Sequence, residues 1–357
     1  METARVDWSM GSRAAKLVDW GTAADVGRRV GGRGPALQAV ERARLREDLS
    51  EIVPRAELLV SEFTGLTANG FRSRAWVMSR GEWVATNLRG LQRLLEPLAQ
   101  RMLADSARRS DVRRKALGAQ IGVLLGYVSK KVLGQYDVFL PPDDEGLLYF
   151  VGPNLAEAER RFALPPHDFR LWVAIHEVTH RVQFGATAWL RGYLNRMVNT
   201  YLDTVQLDTR EMIAQLRRAL AEARGSTEWR SANLVLMLMT PEQRDLFHKM
   251  QAMMSLLEGH ASFVMDEVAK GHVRDLERMR RSLKERRAAS GLERTFQRAI
   301  GFDSKIRQYS VGEHFVRAVH ERAGMDTLNL VWRDEANLPT FEEIAEPDRW
   351  LTRVAGR

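Results

Sequence analysis

The sequence predicts a mainly α-helical fold with a small β-hairpin or sheet, and three observations lead there. Long stretches carry apolar residues at helical spacing. A single region near residue 140 switches to short aromatic and aliphatic runs, and Gly- and Pro-rich breaks punctuate the pattern. With 357 residues, 45% of them apolar, the chain can fill a large core in one domain or two.

Taken in order, the break Gly31-Gly32-Arg33-Gly34-Pro35 separates a short N-terminal segment from a helical pattern over about 36–63. Further helical stretches lie around 83–103 and 112–133. Residues 1–130 therefore read as an N-terminal helical region without a chemical signature of its own. Residues 131–357 carry the chemistry, and the two regions are expected to form one compact unit. The runs 136–140 and 147–151, separated by Pro141-Pro142-Asp143-Asp144-Glu145-Gly146, predict two strands joined by a turn. Gly152-Pro153-Asn154 closes the second strand, and 155–162 supplies one or two helical turns.

A strong helix begins near Asp168, a candidate N-cap. Leu171, Ile175, Val178 and Val182, at offsets of four, three and four, make one apolar face, and Gly185 is placed to end or kink it. A second begins at Thr240-Pro241-Glu242-Gln243, where threonine caps, proline suits the first turn and glutamine completes a capping box. Its apolar row runs through Leu246, Met250, Met253, Leu257, Ala261, Val264 and Val268. Residues 274–294 read as a solvated, highly charged helical hairpin.

Composition narrows the function classes. Absence of cysteine excludes disulfides, thiolate zinc fingers, iron–sulfur ligation and a cysteine nucleophile, and fits a reducing compartment. No apolar run reaches the roughly 18 residues of a membrane span, and the N-terminus lacks the pattern of a secretory signal, so a cytoplasmic location is expected. The net charge of +8 comes with 46 arginines and 8 lysines interleaved with acids, as in Arg274-Asp275-Leu276-Glu277-Arg278. Such interleaving marks solvated helix faces, so nucleic acid is not an expected partner. Gly31-Gly32-Arg33-Gly34 lacks the Lys-Ser/Thr of a phosphate-cradling loop, and no strand precedes it.

The first strong helix bears His176-Glu177-Val178-Thr179-His180. Histidines four residues apart stand one turn above each other, so both imidazoles can reach one cation. Glu177 lies about 100° further round the helix, beside the metal face, where it can take a proton from a metal-bound water. On a helix otherwise so apolar, this polar cluster would be costly without a purpose. Catalytic zinc wants a third protein ligand and an open position. The metzincin extension would need Gly at 183 and His at 186, where the chain has Gln183 and Ala186. The third ligand is then expected from another helix. Glu258 is the leading candidate, a carboxylate in an apolar row of Phe247, Met250, Met254, Ala261 and Met265 that needs a compensating cation. An arginine could also meet that need. His260 is rotated some 200° from Glu258 and does not share its face. Asp266 and Glu267, towards the end of the helix, are poorer ligand candidates.

The stretch Asp168-Phe169-Arg170-Leu171-Trp172-Val173-Ala174-Ile175-His176-Glu177-Val178-Thr179-His180-Arg181-Val182-Gln183-Phe184, with Leu257-Glu258-Gly259-His260 and Val264-Met265-Asp266, resembles a bacterial zincin-like hydrolase family. That family is often labelled as associated with biosynthesis of a deazaflavin coenzyme. The resemblance extends to 147–154, Gln308-Tyr309, Gly312, Leu338-Pro339-Thr340 and Pro347-Asp348-Arg349-Trp350-Leu351. It implies a zincin-like metallohydrolase core packed on an N-terminal helical layer, with Zn2+ held by His176, His180 and Glu258 and Glu177 as general base. Two features depart from thermolysin-like zincins. The separation of His180 and Glu258 is 78 residues, and Ser262 stands where those enzymes carry an orienting aspartate.

The function expected is that of a zinc metallopeptidase or amidase acting on a peptide or amide substrate. Tyr309 and His260 are candidates to stabilise the oxyanion. The strand 147–151 could pair with an extended peptide, against the default of a strand buried in the core. The alternative is a catalytically silent, zincin-derived binding or assembly protein. The intact Glu177 favours the enzyme, since a purely structural site has no use for a general base.

Overall fold

Among the described residues of a computed structural model, helices predominate and one small sheet of three strands accompanies them. The structure describes residues 14, 17–70, 72–104, 111–138, 146–204, 239–287 and 302–356, excepting the side chains of 100–104, 286–287 and 302–310. Two units are distinguished, Met1–Val182 with Met265–Arg287, and Gln183–Val264 with Ala288–Arg357.

In the first unit, α1 (Trp20–Gly31) starts where the Asp19 carboxylate accepts from the Thr22 amide at 2.8 Å. The helices expected over 36–63, 83–103 and 112–133 are α2 (Ala39–Thr64), α3 (Arg80–Ala104) and α4 (Asp111–Ser129). Against α1, α4 sets Gly118, Gly122 and Gly126. A Cβ on each would come within 2.3, 2.5 and 2.6 Å of a carbonyl oxygen, those of Asp19, Ala23 and Gly27. Only glycine permits the two backbones to approach this closely. Trp20, Trp83, Leu88 and Tyr149 fill the adjoining core.

The sheet comprises β1 (Arg74–Met78), β2 (Gly134–Tyr136) and β3 (Leu147–Val151) in the order β1-β3-β2. β2 pairs antiparallel with β3, as the expected turn-linked strands require, but it ends at Tyr136. Residues 137–138 are not strand, and 139–140 lie outside the described residues. The parallel partner, β1, is an element that periodicity did not reveal. Only Val77 and Met78 of its five residues are buried, so it lacks the alternating pattern that marks a strand. With a neighbour on each side, β3 is central, and Leu148 to Val151 are buried. Peptide pairing along β3 is therefore ruled out, because its backbone groups already serve the ladder.

β3 runs directly into α5 (Gly152–Phe162), which is followed by α6 (Pro166–Ala186). Asp168 sits inside the first turn of α6 rather than at its cap. Its carboxylate accepts from the backbone amide and Nε of Arg274, at 3.1 and 3.0 Å. Arg170 grips both oxygens of Glu159 at 2.8 Å and also pairs with Asp48, while Arg181 pairs with Glu57. These arginines pin α6 on its polar side, and Phe169, Trp172, Ile175 and Val178 bury its apolar side.

The second unit contains α7 (Leu190–Thr204) and most of α8 (Pro241–Ala269). Thr240 and Gln243 form the expected capping box, amide to side chain in both directions, at 3.0 and 3.2 Å. Of the expected charged hairpin, α9 (Leu276–Arg287) is present in the first unit, and 288–294 lie outside the described residues. α10 (Phe302–Leu328) breaks at Gly324, where φ is 79°. Two short 3-10 turns precede α11 (Phe341–Ala345) and α12 (Pro347–Ala355), and a Thr340–Glu343 capping box starts α11. In this unit α8 and α10 cross at close range. A Cβ on Gly312 would lie 1.9 Å from the Ser255 carbonyl oxygen, and one on Gly259 would lie 2.2 Å from the Gly312 carbonyl carbon.

Candidate metal centre

α6 holds His176 and His180 one turn apart, with ring centroids separated by 4.8 Å and planes at 88°. One imidazole nitrogen of each, together with a carboxylate oxygen of Glu258 on α8, forms a group whose members all lie within 4.8 Å of one another. All three side chains are half-buried. Two imidazoles and a carboxylate are the donor set of His2Glu zinc sites, and three protein ligands leave a coordination position open. The donor chemistry and the convergence of these atoms both fit a zinc ion.

Glu177 is buried, and its Oε2 accepts a hydrogen bond from the Tyr136 backbone amide at 3.1 Å. The edge strand β2 thereby holds one oxygen of the carboxylate. Gly134, two residues earlier on β2, makes room for it. A Cβ there would stand 2.6 Å from Glu177 Cγ and 2.8 Å from Oε1.

Glu258 sits among the α8 residues that approach α10 most closely. Ser255 and Gly259, on either side of it, make the close crossing with Gly312. Gln183, one turn beyond His180, places its Nε2 2.9 Å from the Leu257 carbonyl oxygen and 3.0 Å from His260 Nδ1. The Leu257 carbonyl only accepts, so the amide nitrogen must face it, and the second N–H of the same nitrogen serves His260. Nδ1 of His260 is then the acceptor, and its ring proton sits on Nε2. His260 is fully buried and meets Trp332 edge-on with centroids 5.2 Å apart. Tyr309 belongs to α10, with its side chain outside the described residues. Asp266 receives Arg280 Nε at 2.8 Å and Glu267 receives Lys270 Nζ at 2.6 Å.

Three contributors to this centre went unread in the sequence. Gln183 was legible only as a departure from the metzincin pattern, although a buried amide on an apolar helix is itself a signal that it has partners to satisfy. Gly134 and the Tyr136 amide gave none, since their role depends on where β2 lies.

Among the described residues, no helix is long and apolar enough to cross a membrane. Residues 18–351 match the family described as zincin-like metallopeptidase. A solved structure from Chloroflexus aurantiacus, presented as "a putative hydrolase with a novel fold", is similar at a TM-score of 0.72 and 31% identity, covering 96% of this chain and 100% of that one. No curated protein matches the chain. A match over nearly the whole length, on a chain that converges two histidines and a glutamate, settles the family: this protein belongs to the zincin-like metallopeptidases.

Proposed function

We propose that the protein is a zinc-dependent peptidase or amidase in which His176, His180 and Glu258 hold the ion and Glu177 is the general base. The observation that carries this is the convergence of the three ligand atoms within 4.8 Å, with Glu177 on the same helix as both histidines. Zinc in such a set supplies Lewis-acid polarisation of a carbonyl and acidifies water. Glu177 takes the proton of the attacking water and delivers it to the leaving amine. The Tyr136 amide, bound to Oε2, holds the carboxylate in place throughout and lowers the cost of orienting it. Tyr309 and His260 belong to the same reading as oxyanion donors. Gln183 occupies Nδ1 of His260, so that residue would donate from Nε2. A cytoplasmic location also belongs here, supported by the absence of cysteine.

The test is a peptide-library cleavage screen of the zinc-loaded protein beside Glu177→Gln. Wild type should cleave, and the variant should keep its zinc while turnover falls at least about a hundredfold. Zinc-loaded wild type that cleaves nothing would shift the reading to the binding or assembly role. Equal turnover in the variant would remove Glu177 from the chemistry.

A further inference from the structure

The first unit contains a concave site that shares no residue with the metal-ligand group. A groove of about 640 Å³ lies where the end of α1, the loop after it and the starts of α2 and α3 meet. Among the described residues, five arginines line it (Arg28, Arg29, Arg33, Arg42 and Arg80), against a single acid, Asp25. Asp25 is already engaged by Arg28. Arg80 is buried and fully committed to the frame, with Nε on Asn154 Oδ1 at 2.7 Å and a terminal nitrogen on Glu157 at 2.6 Å. The side chains of Arg29, Arg33 and Arg42 have no hydrogen-bond or ion-pair partner among the described residues, and all three are exposed.

The loop that carries Arg33 is built rather than slack. Gly32 and Gly34 on either side of it adopt φ of 62° and 68°, a region that favours glycine. A Cβ on Gly34 would lie 2.9 Å from Arg80 Cζ, so the loop backbone rests on the buried guanidinium. Asn154, which holds Arg80, in turn donates to the carbonyls of Ser129 and Val132 at 2.8 and 2.5 Å. Arg33 is thus presented from a backbone that the core fixes, and Arg29 and Arg42 stand on helices. Three uncompensated guanidiniums around one concavity repel one another and gain from a shared multivalent anion. Planar N–H forks are suited to phosphate oxygens. The groove has the volume of a small-molecule site, and Pro35, Leu37 and Pro153 give it an apolar wall.

We propose that this groove is a binding site for a phosphate-bearing small molecule, with Arg29, Arg33 and Arg42 as its anion ligands. It is a different device from a P-loop: guanidiniums, rather than loop amides and a lysine, make the contacts. The inference stands independently of hydrolysis at the metal centre.

Calorimetric titration of the full chain with inorganic pyrophosphate at physiological salt tests it, with citrate as a carboxylate probe. The variants are Arg33→Ala/Arg42→Ala, which removes two exposed side chains from the groove, and Arg278→Ala/Arg281→Ala, which removes the same charge from α9. Pyrophosphate should bind wild type and the α9 variant alike, and bind the groove variant at least about tenfold more weakly. Circular dichroism of the groove variant should match wild type. No binding to wild type, unchanged binding in the groove variant, or an equal loss in both variants would overturn the site. Citrate binding as tightly as pyrophosphate would overturn its assignment to phosphate.

Discussion

In the first unit, α4 lays Gly118, Gly122 and Gly126 against α1, one glycine per turn. In the second, α8 and α10 meet at one point, where Ser255 and Gly259 press on Gly312. Both are backbone-to-backbone contacts that any side chain would wedge apart. They differ in what stands next to them. The α1–α4 crossing is flanked by core residues such as Trp20, Trp83 and Val84 and holds two scaffold helices. The α8–α10 crossing brackets Glu258, the proposed third metal ligand, with Ser255 and Gly259 both close to Gly312. A crossing spread over three turns serves stability, whereas on the proposed function a crossing beside Glu258 serves the geometry of the site as well.

The largest expected effect is at the single-point crossing. In Gly259→Ala the new methyl would stand 2.2 Å from the Gly312 carbonyl carbon and 2.5 Å from the Glu313 nitrogen, neither of which is a flexible side-chain end. We expect a loss of about 3 kcal/mol in chemical denaturation together with zinc content well below one per chain. Gly122→Ala, with its methyl 2.5 Å from the Ala23 oxygen, should cost about 2 kcal/mol, yet leave zinc stoichiometry unchanged, as elemental analysis would show. If Gly122→Ala loses zinc while Gly259→Ala retains it, the distinction between the two crossings is wrong.

The smallest effect concerns the first turn of α6. Burial alone would raise the Asp168 carboxyl, but the side-chain and backbone donors of Arg274 outweigh it and hold it below its ordinary value. A depressed folded value means that the stabilisation is complete above the unfolded value, near 3.9, and is lost as pH falls through the folded one. The Arg274 side chain is 82% exposed, so screening keeps the contribution below about 1 kcal/mol. Thermal unfolding from pH 7 down to 3 should therefore show a slightly flatter acid limb in Asp168→Asn, with zinc content at pH 7 unaltered. A steeper acid limb would contradict the assigned direction.

How much was legible follows from the physics of each element. The His176–His180 pair could be read because helical periodicity alone stacks residues four apart. Glu258 could be read because a carboxylate in an apolar row demands a partner wherever the helix packs. β3 announced itself by a run of bulky residues, but its central place did not, because that depends on β1, whose half-exposed pattern resembles a loop. The roles of Gly134, Gly259 and Gly312 stayed hidden for the same reason: a glycine shows its purpose only when the neighbouring backbone or carboxylate is in view. Asp168 illustrates the converse error. Its local sequence suits a cap, yet a distant arginine claims its carboxylate.

The most direct measurement is zinc K-edge X-ray absorption on the purified, zinc-replete protein, beside Glu258→Ala. Two nitrogen scatterers of imidazole type and a carboxylate oxygen, each at about 2.0–2.2 Å, are expected in wild type, with the oxygen contribution reduced in the variant. A wild-type spectrum without imidazole scattering, or one that Glu258→Ala leaves unchanged, would contradict the proposed centre.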